Sequence, residues 1–323
     1  MTQVKAFLNG IYPRSEPLVS ITRDYDRGRT GEQELKQGFQ QDLEALIDLQ
    51  VSSGLDYLSD GMLNWQDLYH PIVGMAEGLK AGPLERSFNT NTFYRQPIVA
   101  GNVRLQRSDD VDSEFFHRDG SQETLWKAVL PSPYLFSRVA ANEFYHDENE
   151  LMMAFTTELL KPLTQRLVER GISFIQLNEP YLVSHKPRLQ DVKLFQEAIE
   201  AFTKDLNARV CIHTHFGDAE PIMEHLLDFE VDAIGIDFLE TDLDSLTGYD
   251  FEMELVCGCV NSRSSLIEDE EVVYAFAHRT IEQLNPPICY LTTNTGLEFV
   301  PEEIARNKVR LLGRVAERLR TGG

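Results

Sequence analysis

The 323-residue chain has little cysteine and little tryptophan, four and two residues respectively. Cys211, Cys257, Cys259 and Cys289 all lie in apolar, strand-like runs. That placement argues against a disulfide framework and points to a reducing compartment, the cytoplasm. No apolar run approaches the roughly 20 residues that span a bilayer, and the opening stretch has no secretory h-region. Basic residues are scarce beside acidic ones, 30 against 52, for a formal charge of −22. Such an excess disfavours nucleic acid and anionic membranes as partners. The charge is spread along helical segments, so it reads as a solvated outer face. The chain also lacks a Walker A loop, a GxGxxG after a strand, a GxSxG elbow and a zinc ribbon.

What is present centres on Val210-Cys-Ile-His-Thr-His-Phe-Gly217. It reads as a short buried strand ending in His213 and His215. Two residues apart, they share a face, and buried imidazoles need partners. Similar strands are expected at 5–10, 56–59, 126–130, 173–177, 233–236, 254–257 and 288–291. Helical spacing predicts helices over 32–52, 151–167 (bent at Pro162), 190–206, 219–228, 268–283 and 301–320. Residues 18–31 read as an arginine-rich loop or lid. Residues 62–122 lack a sustained period and read as an insertion, a hairpin with short helices, in which 98–105 is an extra strand and 106–122 an acidic turn. Eight strands alternating with helices imply parallel pairing. The expected fold is α/β, a (β/α)8 TIM barrel forming one domain over 1–323, with the insertion after its second strand. A doubly wound sheet is the alternative.

Polar residues gather at the strand C-termini, the face where such barrels keep their chemistry. Glu179, after Asn178, is placed to orient a ligand or act as acid or base, or else to cap the following loop. His213 and Asp237 are further catalytic candidates. His215 with Asp237 makes a two-membered nitrogen and oxygen pair for a divalent metal. Arg263 and Arg14 could clamp an anionic group. Tyr12, Asp60, Ser132, Asn294 and Thr295 complete the expected substrate-binding set. Cys257-Gly-Cys259 reads as two small buried hydrophobes.

Taken in order, several segments resemble the cobalamin-independent methionine synthase family, specifically its C-terminal catalytic barrel. They are Gly10-Ile-Tyr-Pro-Arg14, Gly54-Leu-Asp-Tyr-Leu-Ser-Asp-Gly61, Phe174-Ile-Gln-Leu-Asn-Glu-Pro180, Ile212-His-Thr-His215, Ile236-Asp237, Gly258-Cys-Val-Asn-Ser-Arg-Ser264 and Thr293-Asn-Thr-Gly-Leu297. The resemblance implies a (β/α)8 barrel without the family's duplicate N-terminal barrel. The uroporphyrinogen decarboxylase group shares that architecture. It implies methyl or alkyl transfer to a thiol activated on zinc, with a folate-type methyl donor.

The chain departs from that pattern at its centre. His215 stands at the family's zinc-binding His, but Gly217 and Thr295 stand where it has cysteines, and Asp237 where it has Glu. Met62 and Asn178 replace two acidic groups that recognise the ammonium of homocysteine. The reading is therefore a methyl- or alkyl-transferase on a small molecule other than homocysteine. Two alternatives stay open: a metal-free lyase or decarboxylase-type barrel enzyme, and a non-catalytic binding protein. A homo-oligomer or a partner protein is compatible with each.

Overall fold

The computed structural model describes residues 2–65, 67–88, 90–106, 115 and 125–322. Eight strands follow one another along the chain: β1 (Gln3–Ala6), β2 (Tyr57–Leu58), β3 (Leu125–Pro131), β4 (Ile172–Asn178), β5 (Arg209–His213), β6 (Ala233–Asp237), β7 (Glu254–Val260) and β8 (Ile288–Thr293). Each of the eight expected runs overlaps one of them, β1 starting two residues earlier and ending four residues sooner than its run. They are short and rich in buried apolar residues on both faces, as parallel strands covered by helices must be. The class is α/β. By density of contact the chain forms two units: Met1–Asn64 with Phe116–Leu125 and Asp250–Gly323, and Trp65–Phe115 with Trp126–Tyr249.

In the first unit β1 runs parallel to β8, with Gln3 opposite Ile288 and Ala6 opposite Leu291. β8 in turn runs parallel to β7, with an irregularity between Gly258 and Val260. A parallel bridge from Phe7 to Tyr57 brings in β2. Aromatic rings fill the space around Lys5, whose Nζ lies 5.6 Å from the Tyr57 centroid and 5.8 Å from that of Tyr290. The Tyr290 hydroxyl donates to Glu254 Oε2 at 2.8 Å. The helix Glu302–Thr321 approaches the end of helix Glu32–Ser52 so closely that a Cβ on Gly313 would sit 2.8 Å from the Ser53 carbonyl carbon. On that same last helix Lys308 is fully buried; its Nζ donates to Leu266 O at 2.7 Å and to Glu268 Oε2 at 2.8 Å.

Residues 18–31 are not a loop over most of their length: Glu16–Asp26 is an α-helix. Ser15 caps it through its Oγ, Pro17 occupies the first turn, and Leu18 packs against Gly38 of the next helix. The polar composition hid this helix because Leu18 is its one buried residue.

The second unit holds β3, β4, β5 and β6 in parallel, with Val129 opposite Gln176, Asn178 opposite His213 and His213 opposite Gly235. The insertion contributes a long antiparallel hairpin, Ala76–Arg86 against Phe93–Leu105, extended by the short strand Ala141–Asn142. Of the acidic turn expected over 106–122, all but Gln106 and Phe115 lies outside the described residues. A helix over Pro133–Val139 had no counterpart in the sequence reading; Ser132 caps it and Pro133 opens it. The helix expected over 151–167 is three joined pieces. Glu148–Ala154 and Lys161–Glu169 are α-helical, and Phe155–Leu160 between them is π-helical. The distortion precedes Pro162, which lacks the N–H an unbroken ladder needs. The segment 219–228 is a 3-10 turn, Glu220–Ile222, followed by the short helix Met223–Leu227.

Candidate functional site

In the second unit the C-terminal ends of four adjacent strands bring Ser132, Asn178, Glu179, His213, His215 and Asp237 together. Glu179 has no exposed surface. Its Oε2 accepts from the Ser132 hydroxyl and from Leu135 N at 3.0 Å, and its Oε1 accepts from Leu182 N at 2.9 Å. Burial pushes its carboxyl up to about 7, against the pull of those donors. The carboxylate thus holds the first turns of helices Pro133–Val139 and Tyr181–Ser184. Both oxygens are committed to that work, which favours the capping role over ligand contact. Asn178 Oδ1 accepts from Gln176 Nε2 at 2.7 Å, and its carbonyl accepts from Ser132 N.

His213 is fully buried and His215 nearly so, with ring centroids 5.7 Å apart. Burial, reinforced by His215 and then Lys127, holds His213 well below the ordinary imidazole range, so it is neutral at physiological pH. Gly235 opposite it is obligatory, since a Cβ there would lie 2.7 Å from the His213 ring carbon Cγ. Asp237 accepts from Leu239 N at 3.1 Å and from Phe216 N at 3.3 Å. The second bond helps fix Phe216 at φ 65°, a conformation that a bulky side chain rarely adopts. Phe216 meets His215 edge-on, with ring centroids 4.7 Å apart, and the Phe88 ring from the hairpin tip lies 5.5 Å from that of Phe216 and 6.5 Å from that of Tyr181. The hairpin therefore covers the two loops that carry His215 and Glu179.

In the first unit the loops after β1, β2 and β8 are stitched together. Leu297 N donates to Ile11 O at 2.7 Å and Tyr12 N to Gly61 O at 2.8 Å. Tyr12 is buried, and its hydroxyl donates to Glu302 Oε1; burial and that carboxylate push it above its ordinary range. Asp60 accepts from Met62 N, turning Met62 to φ 51°. Asn294 Oδ1 accepts from both Ser262 N and Ser262 Oγ at 2.9 Å. The Thr295 carbonyl accepts from Thr293 Oγ1 at 2.6 Å. Arg14 donates to Leu63 O at 2.7 Å and lies over Phe39, while Arg263 is exposed.

Three residues escaped the sequence reading. Lys127 on β3 is fully buried, and burial holds its amine well below the ordinary lysine range. It shares a face with Val129, so period-two alternation could have flagged it. Glu298, beyond Leu297, carries a buried carboxyl oxygen. Phe88 lies in a stretch without periodicity and gave no signal.

A family-type zinc centre does not fit these residues. Among the described residues no group of three or more His, Cys, Asp and Glu side chains is arranged to hold a metal ion. Gly217 has no space for a thiol-bearing side chain, because its Cβ would sit 2.6 Å from the Val183 carbonyl carbon and 3.0 Å from Ser184 N. The soft thiolates that select zinc are absent, and His215 with Asp237 supplies two ligands where a structural or catalytic zinc takes at least three from protein.

Parallel strands alternating with helices, polar groups at their C-terminal ends, and the solved-structure likenesses below together define the (β/α)8 barrel. Residues 57–285 match the model of the cobalamin-independent synthase N-terminal domain, so the chain belongs to that family. The motifs resemble the family's C-terminal barrel, whereas the matching model is that of its N-terminal domain. A methionine synthase of Saccharolobus solfataricus is 26% identical over 307 residues, 93% of this chain and 90% of the relative. One from Sulfolobus acidocaldarius is 24% identical over 304 residues, 93% of this chain and 87% of the relative. Among solved structures, a B12-independent methionine synthase from Shewanella sp. W3-18-1, in complex with selenomethionine, superimposes with a TM-score of 0.75 at 18% identity, covering 99% of this chain and 98% of the other. A methyltransferase from Methanosarcina mazei gives 0.64 at 13% identity, covering 99% and 95%. Among the described residues, no helix is long and apolar enough to cross a membrane.

Proposed function

We propose that this chain is a cytoplasmic methyl- or alkyl-transferase acting on a small molecule other than homocysteine. The observation that carries the reading is the closed space at Gly217, set in a chain that belongs to the synthase family. The family supplies the reaction class; the missing thiolates and the carbonyl wall at Val183 remove its usual way of activating a thiol. In this reading His213, buried and held in its neutral form, takes part as a hydrogen-bonding group and not as a base. Asp237 positions the Phe216 turn that carries His215, and the Phe88 hairpin keeps water from that turn. A divalent metal on His215 and Asp237 would have to draw its remaining ligands from substrate.

The test is a product assay by mass spectrometry, with 5-methyltetrahydrofolate and other methyl donors offered to homocysteine and to a panel of other thiols. Elemental analysis of chelator-free protein runs beside it, on wild type and His215→Ala. Methylation of a thiol other than homocysteine is expected. Turnover of homocysteine at a comparable rate would overturn the reading.

Lys127 favours a second reading. A fully buried amine whose basicity burial lowers well below the ordinary lysine range is suited to attack a carbonyl, as in lyases that work through an imine. Borohydride trapping with a small aldehyde, followed by peptide mapping, would place a label on Lys127 if this chemistry operates.

A further inference from the structure

The first unit contains a carboxylate that the proposed chemistry leaves unused. Glu298 follows the Thr293–Leu297 segment at the end of β8. The residue as a whole is half-buried, but its Oε2 is sealed from solvent and has no hydrogen-bond partner among the described residues. Its carboxyl group is folded back onto Gly296. A Cβ at Gly296 would lie 3.2 Å from Glu298 Cδ, closer still to Oε2, and 3.1 Å from Ile11 N. The loop it belongs to is bonded to the loop after β1, and that loop to the one after β2. Glu298 thus sits where the strand-end loops of this unit converge.

A buried carboxylate oxygen without a donor is costly, and structures keep such groups where a ligand completes them. The titratable groups on the surrounding elements are engaged elsewhere. Tyr12 donates to Glu302, Glu302 accepts from Arg306 at 2.6 Å, and Asp60 accepts from Met62 N. Burial is the main influence on the Glu298 carboxyl and lifts it to about 7, opposed by its own backbone N–H. The group is therefore poised to exchange its proton for a cation.

We propose that Glu298 is a ligand-binding residue that receives the protonated amine of a small-molecule ligand at the strand-end loops of the first unit. It rests on the reading of the chain as a small-molecule barrel enzyme and names one chemical group its ligand carries. The ammonium provides the positive charge and the N–H donor that Oε2 lacks, and binding drives the proton off Glu298.

Isothermal titration calorimetry on the full chain tests this with three probes. 3-(Methylthio)propylamine has the amine alone, 4-(methylthio)butanoate has the acid alone, and L-methionine has both. The amine-bearing probes are expected to bind wild type, and Glu298→Gln to weaken them about tenfold while leaving the acid probe unchanged. Repeating the titration at pH 7 in buffers of different ionisation enthalpy should show release of about half a proton per amine bound, absent in Glu298→Gln. Glu298→Asp, which keeps the charge, should retain most of the affinity and serves if the glutamine variant folds poorly. Failure of the amines to bind wild type, equal binding by Glu298→Gln, or binding without proton release each overturns the proposal. Amine binding through Glu298 without any methyl transfer would instead refute the transferase reading and leave this one standing.

Discussion

Glu179 in the second unit and Glu298 in the first each carry a buried carboxyl oxygen just beyond a strand end, and burial lifts both carboxyls to about 7. Their surroundings are opposite. Glu179 has donors on both oxygens and holds two helix starts; Glu298 Oε2 has no partner among the described residues and rests on a glycine. The pair shows that a raised carboxyl pKa does not by itself mark a site. In one case it is what remains after several donors have offset burial, and in the other it is burial with little to oppose it. The donor count separates the structural group from the group that awaits a ligand.

Truncation should separate them most. Glu179→Ala leaves the Ser132 hydroxyl and the Leu182 amide without their acceptor and takes from the Leu135 amide one of its two, the other being Ser132 Oγ, and should cost about 4 kcal/mol in urea unfolding. Glu298→Ala strands no donor of another residue and should fall within about 1 kcal/mol of wild type. Equal losses would erase the distinction.

The pH dependence sharpens it. Each carboxyl has a folded-state value near 7, above the 4.5 of the free group. Between those values the folded state binds more protons than the unfolded state, so stability falls as pH rises through that window and levels off above it. Each group contributes on the order of 3 kcal/mol to that fall. Glu298→Gln removes its share, so its stability relative to wild type should grow from pH 5 to pH 7.5. Glu179→Gln should stay destabilised across the range, because an amide NH2 must replace one acceptor and meet a donor. Parallel urea titrations of the three proteins at five pH values decide this.

The smallest effect concerns the glycines in the two regions. A Cβ on Gly217 meets the Val183 backbone, which cannot yield without moving its helix turn; one on Gly296 meets chiefly the movable end of Glu298. Gly217→Ala should cost about 2 kcal/mol and Gly296→Ala less than about 1 kcal/mol, read by thermal unfolding. A reversed order would mean that Glu298 is held as firmly as Glu179.

Much of the architecture was legible because apolar runs of strand length alternate with helical periods, and β2 through β8 lie close to where those runs fall. Helix Glu16–Asp26 escapes a reading by periodicity: Ser15 and Pro17 announce its start, but with Leu18 alone buried no stripe follows. Helix Pro133–Val139 was missed for the same reason, its Ser132-Pro133 start being read as a strand ending. At the site, strand-end position found Glu179, His213 and Asp237 but could not tell what their atoms hold. That Arg263 is exposed and Asn294 committed to Ser262 depends on loop paths that no local pattern encodes. Glu298 looked like any acidic loop residue; only the fold shows its oxygen turned onto Gly296.

The buried ammonium of Lys308 has a bearing on how the chain is made. It neutralises Glu268 and takes up the Leu266 carbonyl, while Glu268 also accepts from Asn261 N, just past β7. On the ribosome Glu268 emerges 40 residues before the lysine that satisfies it. Until then the turn after β7, with Ser262 still to meet Asn294, has acceptors and no cation. That corner of the molecule is therefore among the last to set during synthesis, and a nascent chain halted before Lys308 would carry an intact β7 with an unfinished turn.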